Sequence, residues 1–175
     1  MTAEPNPLIE LSAKHAITEV LHRYCRAMDR VDRALARTCW HEGATIDYEG
    51  AFRGLATDFV DWVCTLHEQL FIAHSHQVTN TLITLDGARA TSECYVTVAL
   101  RSKGPAADST DIEGRGRYLD RWARRDGVWA VEHRRHISDL RTVRPAIGAQ
   151  PLGPSSRRDR SDPSYELLEV DRPTP

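Results

Sequence analysis

The fold is decided by the stretch of residues 74–96, whose sequence is HSHQVTNTLITLDGARATSECYV. Apolar and polar residues alternate along it, with the period of two that is typical of a β-strand with one buried face. The alternation is interrupted at Asp86-Gly87, a dipeptide that favours the tight turn of a β-hairpin. The pattern therefore predicts two antiparallel strands, at residues 74–85 and 89–101.

A second hairpin of the same kind is predicted towards the C-terminus. Alternating residues at 113–124 and 128–139 flank the dipeptide Asp126-Gly127, which is again a hairpin turn signal. The segment KGPAADSTD, at residues 103–111, is rich in turn-forming residues and predicts a longer connection between the two hairpins. Together these segments predict an antiparallel meander of four strands.

Helices are predicted before the meander. Apolar residues recur at three- and four-residue steps over residues 10–29 and 56–70, and a short helix is predicted over residues 33–40. Before the last of these helices, the sequence HEGATIDYEGAFRG predicts a short strand, a turn at Glu49-Gly50 and a returning strand. Helices followed by an antiparallel meander indicate an α+β fold, with the helices packed on one face of a strongly curved sheet.

The length of 175 residues suggests one domain. We expect a flexible lead-in at residues 1–9, a single α+β barrel domain at residues 10–143, and a Pro- and Arg-rich tail at residues 144–175. A small apolar patch in this tail is expected to dock on the domain or on a neighbouring subunit. It comprises Tyr165, Leu167, Leu168 and Val170.

Charge and hydropathy exclude several function classes. A formal net charge of -2 argues against a general affinity for nucleic acid or anionic lipid. No apolar run approaches the roughly 20 residues that a membrane span needs. The four cysteines are widely spaced without a CxxC pair, which is typical of thiols in a reducing compartment. Since MTAEPNPLIE lacks the features of a secretory signal, we expect a cytoplasmic protein.

Asp29 has two competing interpretations. It ends the apolar face of the first predicted helix, so its carboxylate would point towards the sheet, where it would need a hydrogen-bond donor. Alternatively, it caps the turn Asp29-Arg30-Val31-Asp32, because aspartate is a favoured cap at the start of a helix.

His74 and His76 share one face of the first predicted strand with Val78 and Leu82. A histidine pair at this spacing can bind a metal, but no second cluster completes a tetrahedral set, so no metal is expected. An imidazole beside a carboxylate is instead a general base near neutral pH, because the carboxylate fixes the tautomer and stabilises the imidazolium. The remaining alternative is a half-buried structural histidine.

The last predicted strand carries a polar row that suits a ligand site, a subunit interface or a solvated edge. Alternation places four residues on this face: Glu132, Arg134, His136 and Ser138. Tyr48 would add a phenol and Trp40 an aromatic wall, although core packing is the more common fate of a tryptophan.

The ordered set of segments resembles the SnoaL-like branch of the nuclear transport factor 2-like superfamily, which includes scytalone dehydratase, lindane dehydrochlorinase and bile-acid 7α-dehydratase. The resemblance covers about residues 10–140 and rests on the stretches AITEVLHRYCRAMDRVD, CWHEGATIDYEGAFRG, HSHQVTNTLITLDGARATSECYV and YLDRWARRDGVWAVEHRR. It implies a cone-shaped α+β barrel and a homo-oligomer, either a trimer or a dimer. The interface is expected on the outer face of the sheet, at Tyr95, Thr97 and Arg135.

The resemblance also assigns roles to single residues. Asp29 and His76 match the helix aspartate and the strand histidine of the family's catalytic dyad. Tyr24 and Tyr48 match pocket tyrosines, and are expected to be catalytic as well. The expected substrate contacts are Arg134, Trp40, His74, Val78, Cys94, Val96 and His136.

The leading hypothesis is a cofactor-independent lyase of the dehydratase type, acting on a hydrophobic cyclic small molecule. In it, His76 removes a proton while Asp29 orients the imidazole. An isomerase similar to ketosteroid isomerase or polyketide cyclase would use the same dyad without elimination. A non-catalytic small-ligand-binding or subunit-assembly module is the alternative without chemistry, because one fold hosts many functions.

Overall fold

The computed structural model describes residues 6–105, 108–146, 153 and 156–168. Its elements are α1 (Pro7–Arg30), α2 (Arg33–Arg37), β1 (Trp40–Tyr48), β2 (Phe52–Leu55), α3 (Ala56–Leu70), β3 (Phe71–Asp86), β4 (Arg89–Ser102), β5 (Thr110–Arg125), β6 (Val128–Pro145) and α4 (Pro163–Leu167). The strands form one sheet in the order β2-β1-β6-β5-β4-β3, antiparallel except for the β1–β6 pair. The predicted α+β fold, with N-terminal helices on a curved, mostly antiparallel sheet, is confirmed.

Helix α1 begins earlier than residue 10, where the sequence pattern places its start. The side chain of Asn6 caps it by accepting a hydrogen bond from the backbone N–H of Leu8 at 3.0 Å, and Pro7 occupies the first turn. Residues 7–9 of the expected lead-in are therefore helical. No helix in the described part of the chain is long and apolar enough to cross a membrane.

The second predicted helix is shorter than residues 33–40. Asp32 caps it by accepting from the backbone N–H of Leu35 at 2.9 Å, and the helix ends at Arg37. Trp40 instead begins β1 and packs edge-on against Tyr24, with ring centroids 5.8 Å apart. The prediction is wrong here because a short apolar run does not distinguish a helix from a buried strand.

Both predicted hairpins are present. Asp126 and Gly127 form the two-residue turn between β5 and β6, and both have the positive φ (50° and 81°) that a type I′ turn requires. The first hairpin turns one residue later than predicted, because Asp86 still pairs with Arg89. Strand β6 continues to Pro145, past its predicted end at residue 139 and past the expected domain boundary at residue 143.

A bulge in β3 changes which side chains face the helices. Asn80 has φ of 52°, and the register of β3 on β4 shifts between Thr79 and Leu82. Leu82 is therefore 72% exposed, instead of sharing the concave face with His76 as strict alternation predicts.

A second register shift lies in β6. Ser138 pairs with Gly116 and Leu140 pairs with Arg115, so Asp139 is the extra residue. As a result, Leu140 is exposed and Arg141 faces the concave side of the sheet. Strict alternation along β6 instead predicts that Leu140 faces the concave side and that Arg141 faces the opposite side.

The tail segment around α4 packs on the N-terminal helices. The hydroxyl of Tyr165 donates to Asp32 at 2.8 Å, and the guanidinium of Arg26 lies over its ring at 4.7 Å. Leu167 and Leu168 are exposed, so the docking contact is made by Tyr165 rather than by the leucines of the predicted patch. Val170 lies outside the described residues.

Candidate functional site

A cavity of about 240 Å³ lies between the helices and the concave face of the sheet. Its volume corresponds to roughly eight water molecules at about 30 Å³ each, which suits a ligand of one or two rings. Apolar side chains form much of its wall: Met28, Val63, Phe71, Val96, Val98, Leu100 and Ile112. Two glycines of β5, Gly114 and Gly116, form part of its floor.

Asp29 and His76 form a hydrogen-bonded pair at the cavity wall. Nδ1 of His76 lies 2.7 Å from Oδ1 of Asp29. The carboxylate also accepts from the backbone N–H of His76, at 2.9 Å and 3.2 Å to its two oxygens. Because an ionised carboxylate only accepts, the ring proton is assigned to Nδ1, which leaves Nε2 as an acceptor. His76 lines the cavity, and Asp29 lies behind it.

The position of Asp29 on its helix explains why it needs these donors. It lies in the last turn of α1, where the helix macrodipole disfavours a negative charge. The two N–H groups of His76 offset this cost. The alternative interpretation of Asp29 as a cap is not what the structure shows, because the cap of α2 is Asp32.

Three phenol groups meet in the same cavity: Tyr24, Tyr48 and Tyr118. The hydroxyl of Tyr48 donates to that of Tyr118 at 3.4 Å, and the rings of Tyr24 and Tyr118 lie edge to face at 5.9 Å. Burial raises the pKa of each phenol above its usual value, so all three stay protonated. They can therefore donate hydrogen bonds to an oxygen of a ligand.

Arg134 lies beneath these phenols and not on the cavity wall. Its guanidinium makes two 2.7 Å hydrogen bonds to Asp120, and the two side chains are only 1% and 0% exposed. The guanidinium carbon lies 4.0 Å from the ring centroid of Tyr118 and 4.4 Å from that of Tyr24. The aromatic rings separate Arg134 from any ligand, so its charge acts on the site through them.

Four more of the expected substrate contacts do not line the cavity: Trp40, His74, Val78 and Cys94. Trp40 and Cys94 are buried in the core. His74 is covered by the end of α3, where His67 stacks on it at 4.4 Å, and it accepts a hydrogen bond from Arg158 of the tail. Of the expected contacts, the structure brings Val96 and His136 to the wall.

Two neutral imidazoles also face the cavity. His136 stacks on Tyr48 at 4.4 Å, and burial lowers its pKa to about 4. His67 of α3, which the sequence analysis missed, is buried and its pKa is lowered to about 4 for the same reason. The available signal for His67 is its place on the apolar face of α3, three residues after Cys64.

Tyr118 was also missed, although it alternates with Asp120 and Trp122 along β5 towards the core. Among the described residues, no group of three or more His, Cys, Asp or Glu side chains is arranged to hold a metal ion. The site therefore offers one imidazole–carboxylate pair, two neutral imidazoles and three phenols to a ligand.

Solved structures with this fold are numerous. The hexachlorocyclohexane dehydrochlorinase LinA, type 2, has a TM-score of 0.75 at 17% identity, covering 85% of this chain and 99% of the other. A scytalone dehydratase candidate from Novosphingobium aromaticivorans has a TM-score of 0.67 at 21% identity, covering 81% and 97%. A nuclear transport factor 2-like superfamily protein from Salmonella enterica has a TM-score of 0.65 at 16% identity, covering 81% and 99%.

These identities establish a common fold and no more. The comparison with curated proteins gave no match. The family model of the SnoaL-like domain matches residues 10–135, which is most of the chain and includes the cavity's helices and most of its strands. On this match, the chain belongs to the SnoaL-like domain family.

Proposed function

We propose that this protein is a cofactor-independent lyase of the dehydratase type, which removes a proton from a small hydrophobic cyclic molecule. The observation that carries the proposal is the 2.7 Å bond between Nδ1 of His76 and Asp29, at the wall of an apolar cavity. In the neutral imidazole, this bond places the ring proton on Nδ1, so that Nε2 can accept a proton from a ligand.

In the proposed reaction, Nε2 of His76 takes a proton from a carbon next to an activating group. Asp29 stabilises the imidazolium that forms. The C–H electron pair becomes the new C=C bond as a hydroxide leaves the neighbouring carbon, and the imidazolium returns the proton to it as water. Atoms and charges balance without a cofactor.

The phenol cluster supports the same step. As the proton leaves, negative charge develops on the oxygen of the activating group, and preorganised donors in a dry site stabilise such charge. Tyr24, Tyr48 and Tyr118 remain protonated and are such donors. The positive charge of Arg134 behind two of these rings favours the electron-rich state further.

The comparisons support the coarser part of this proposal. The structural neighbours of this chain include proteins whose names describe elimination, namely a dehydrochlorinase and a scytalone dehydratase candidate. Family and fold therefore favour small-molecule processing of the lyase or isomerase kind. The dyad and the dehydratase activity are our inference from the site.

The experiment is a dehydration assay on cyclic β-hydroxy ketones of one and two rings, followed by the absorbance of the conjugated enone. The wild-type chain is expected to form the enone, and His76→Ala is expected to lose about 10²–10⁴-fold in rate. His133→Ala is the matched control, since His133 bonds Thr45 and does not line the cavity. Equal rates for His76→Ala and the wild type would contradict the proposal. Double-bond migration in a cyclic β,γ-unsaturated ketone, with no dehydration of the β-hydroxy ketones, would assign an isomerase.

The homo-oligomer, a trimer or a dimer, and the cytoplasmic location stay predictions. Tyr95 is 49% exposed and Arg135 is also exposed, which is compatible with an interface there. Light scattering at micromolar concentration is expected to give a mass of two or three chains. A mass near that of a single chain, 19.7 kDa, would contradict the oligomer.

A further inference from the structure

One charged side chain on the cavity wall has no part in the proposed proton transfer. Arg141 reaches the concave side because of the register shift at Asp139. Among the residues that the structure describes, it has no hydrogen-bond or ion-pair partner. The other arginine on the wall, Arg115, is held by Glu113 at 2.7 Å. Arg141 is thus a solvent-exposed cation on the cavity wall that no described acidic side chain neutralises.

Arg141 lies in the same cross-strand row as the proposed base. The row has one residue from each of the four long strands: His76, Val98, Gly114 and Arg141. Neighbouring strands are about 4.8 Å apart, so the two ends of the row are roughly 14 Å apart along the sheet. The curvature of the sheet shortens this path across the cavity, and all four residues line it.

The middle of this row is apolar, because Val98 and Gly114 separate its two polar ends. A Cβ at Gly114 would lie 2.9 Å from Cγ1 of Val98, so any side chain there would enter occupied space. At Gly116 a Cβ would lie 2.2 Å from the backbone oxygen of Ile137, so the neighbouring strand β6 requires a glycine there. Glycine inside a strand is typical of places where a ligand or another backbone approaches closely. An apolar ring that lies between His76 and Arg141 therefore meets only Val98 and Gly114 along this row.

The remaining lining is neutral or positive. It contains no carboxylate among the described residues, since Asp29 lies behind His76. Burial lowers the pKa of His67 and of His136 to about 4, so both are uncharged at neutral pH. A ligand with one negative charge therefore meets no repelling group on the wall.

We propose that the substrate is a one- or two-ring carboxylic acid, whose carboxylate is bound by Arg141 at the end opposite the carbon that loses its proton. The identity of that carbon rests on the proposed function, whereas the anion contact does not. A guanidinium pairs with a carboxylate through two parallel hydrogen bonds. A single arginine matches one carboxylate, while a phosphate dianion calls for more cationic partners than this wall offers.

Calorimetric binding of matched acids and esters to the full-length chain tests this assignment. The probes are 1-naphthoate and cyclohexanecarboxylate, each with its methyl ester. The wild type is expected to bind the acids at least about tenfold more tightly than the esters, and Arg141→Gln to lose this preference while keeping its ester affinity. Arg135→Gln is the matched control, because Arg135 is exposed and contacts Glu49.

Equal affinity for acid and ester in the wild type would overturn the assignment. So would an unchanged preference in Arg141→Gln, or the absence of saturable binding of all four probes. The variant Asp29→Asn tests the two claims separately. Asp29 does not line the cavity, so this variant should still bind the acids more tightly than the esters, whereas the proposed function predicts that it loses elimination activity. A preserved acid preference together with full elimination activity in Asp29→Asn would contradict the proposed function alone.

Discussion

Two carboxylates in this protein, one partly buried and one fully buried, form equally short bonds to a basic partner. Asp29 meets His76 at 2.7 Å, and their side chains are 18% and 9% exposed. Asp120 meets Arg134 at 2.7 Å, and their side chains are 0% and 1% exposed. The first partner is an imidazole that lines a cavity, whereas the second is an enclosed and permanently charged guanidinium.

The difference shows that burial of an acid–base pair does not by itself make a reactive site. Arg134 is closed off by Tyr24 and Tyr118, so it can only act through them. His76 keeps one ring nitrogen for a ligand, because Asp29 uses the other. The two pairs therefore predict opposite responses to mutation: loss of activity for one, and loss of stability for the other.

The largest expected effect is on turnover. Asp29→Asn should keep the fold but lower the rate of enone formation by about 10⁴-fold, because the amide no longer fixes the tautomer or stabilises the imidazolium. Steady-state kinetics on the β-hydroxy ketones measures this, with circular dichroism to verify folding. A folded Asp29→Asn variant whose rate of enone formation is within a factor of ten of the wild-type rate would contradict a catalytic role for the Asp29–His76 pair.

The next effect is on stability. Asp120→Ala leaves the Arg134 guanidinium buried without its partner and should lower the free energy of unfolding by about 3–5 kcal/mol. Urea denaturation gives this value. Asp61→Ala is the control, since its pair with Arg37 is about half exposed and should cost less than about 1 kcal/mol. Similar losses of unfolding free energy in both variants would contradict a larger contribution from the enclosed Asp120–Arg134 pair.

A dependence of stability on pH follows from the cavity histidines. Burial holds the pKa of His67 at about 4 in the folded chain, below the ordinary value of 6.5. Protons therefore bind more readily to the unfolded chain, and stability is full above about pH 6.5 and is lost as the pH falls towards 4. For His67 this loss amounts to about 3 kcal/mol.

Urea denaturation at pH 7, 5.5 and 4.5 measures this slope. His67→Gln should flatten it, while His15→Gln, an exposed position on α1, should leave it unchanged. A slope that is the same in His67→Gln and in the wild type would contradict the neutral imidazole at this wall.

The smallest predicted effect concerns the tail. Tyr165→Phe removes the hydrogen bond to Asp32 and should lower the free energy of unfolding by about 1 kcal/mol. It should also speed limited proteolysis around α4. Ser156→Ala, whose side chain makes no described hydrogen bond, is the comparison variant, and identical digestion rates would indicate that Tyr165 does not hold the tail.

Local signals were enough for the elements and for part of the site. Helix α3 has the predicted bounds, and the Asp126-Gly127 turn is present. Asp29 at the end of the first helix and His76 on the buried face of the first long strand were expected to meet, and they do. Alternation alone could not predict the register shift after Thr79, which turns Leu82 outwards, or the one at Asp139, which turns Arg141 inwards.

Burial of charge was the other feature beyond reach of the sequence. From the sequence of β6 alone, Arg134 could contact either a ligand or a buried acid. The acid that it binds, Asp120, lies on the neighbouring strand β5, so the pattern of β6 does not reveal this partner. Likewise His67 reaches the cavity only through the packing of α3 on β3, seen in its stack on His74. Such pairings depend on tertiary contacts that no local pattern encodes.

The removal of a proton from carbon by His76 can be measured without knowledge of the leaving group. The wild-type chain is incubated with 2-tetralone in D₂O, and exchange of the protons next to the carbonyl is followed by proton NMR. The wild type is expected to accelerate this exchange, and His76→Ala to reduce the accelerated rate at least about 10²-fold. Exchange as fast in His76→Ala as in the wild type, or no acceleration by the wild type, would contradict proton removal by His76.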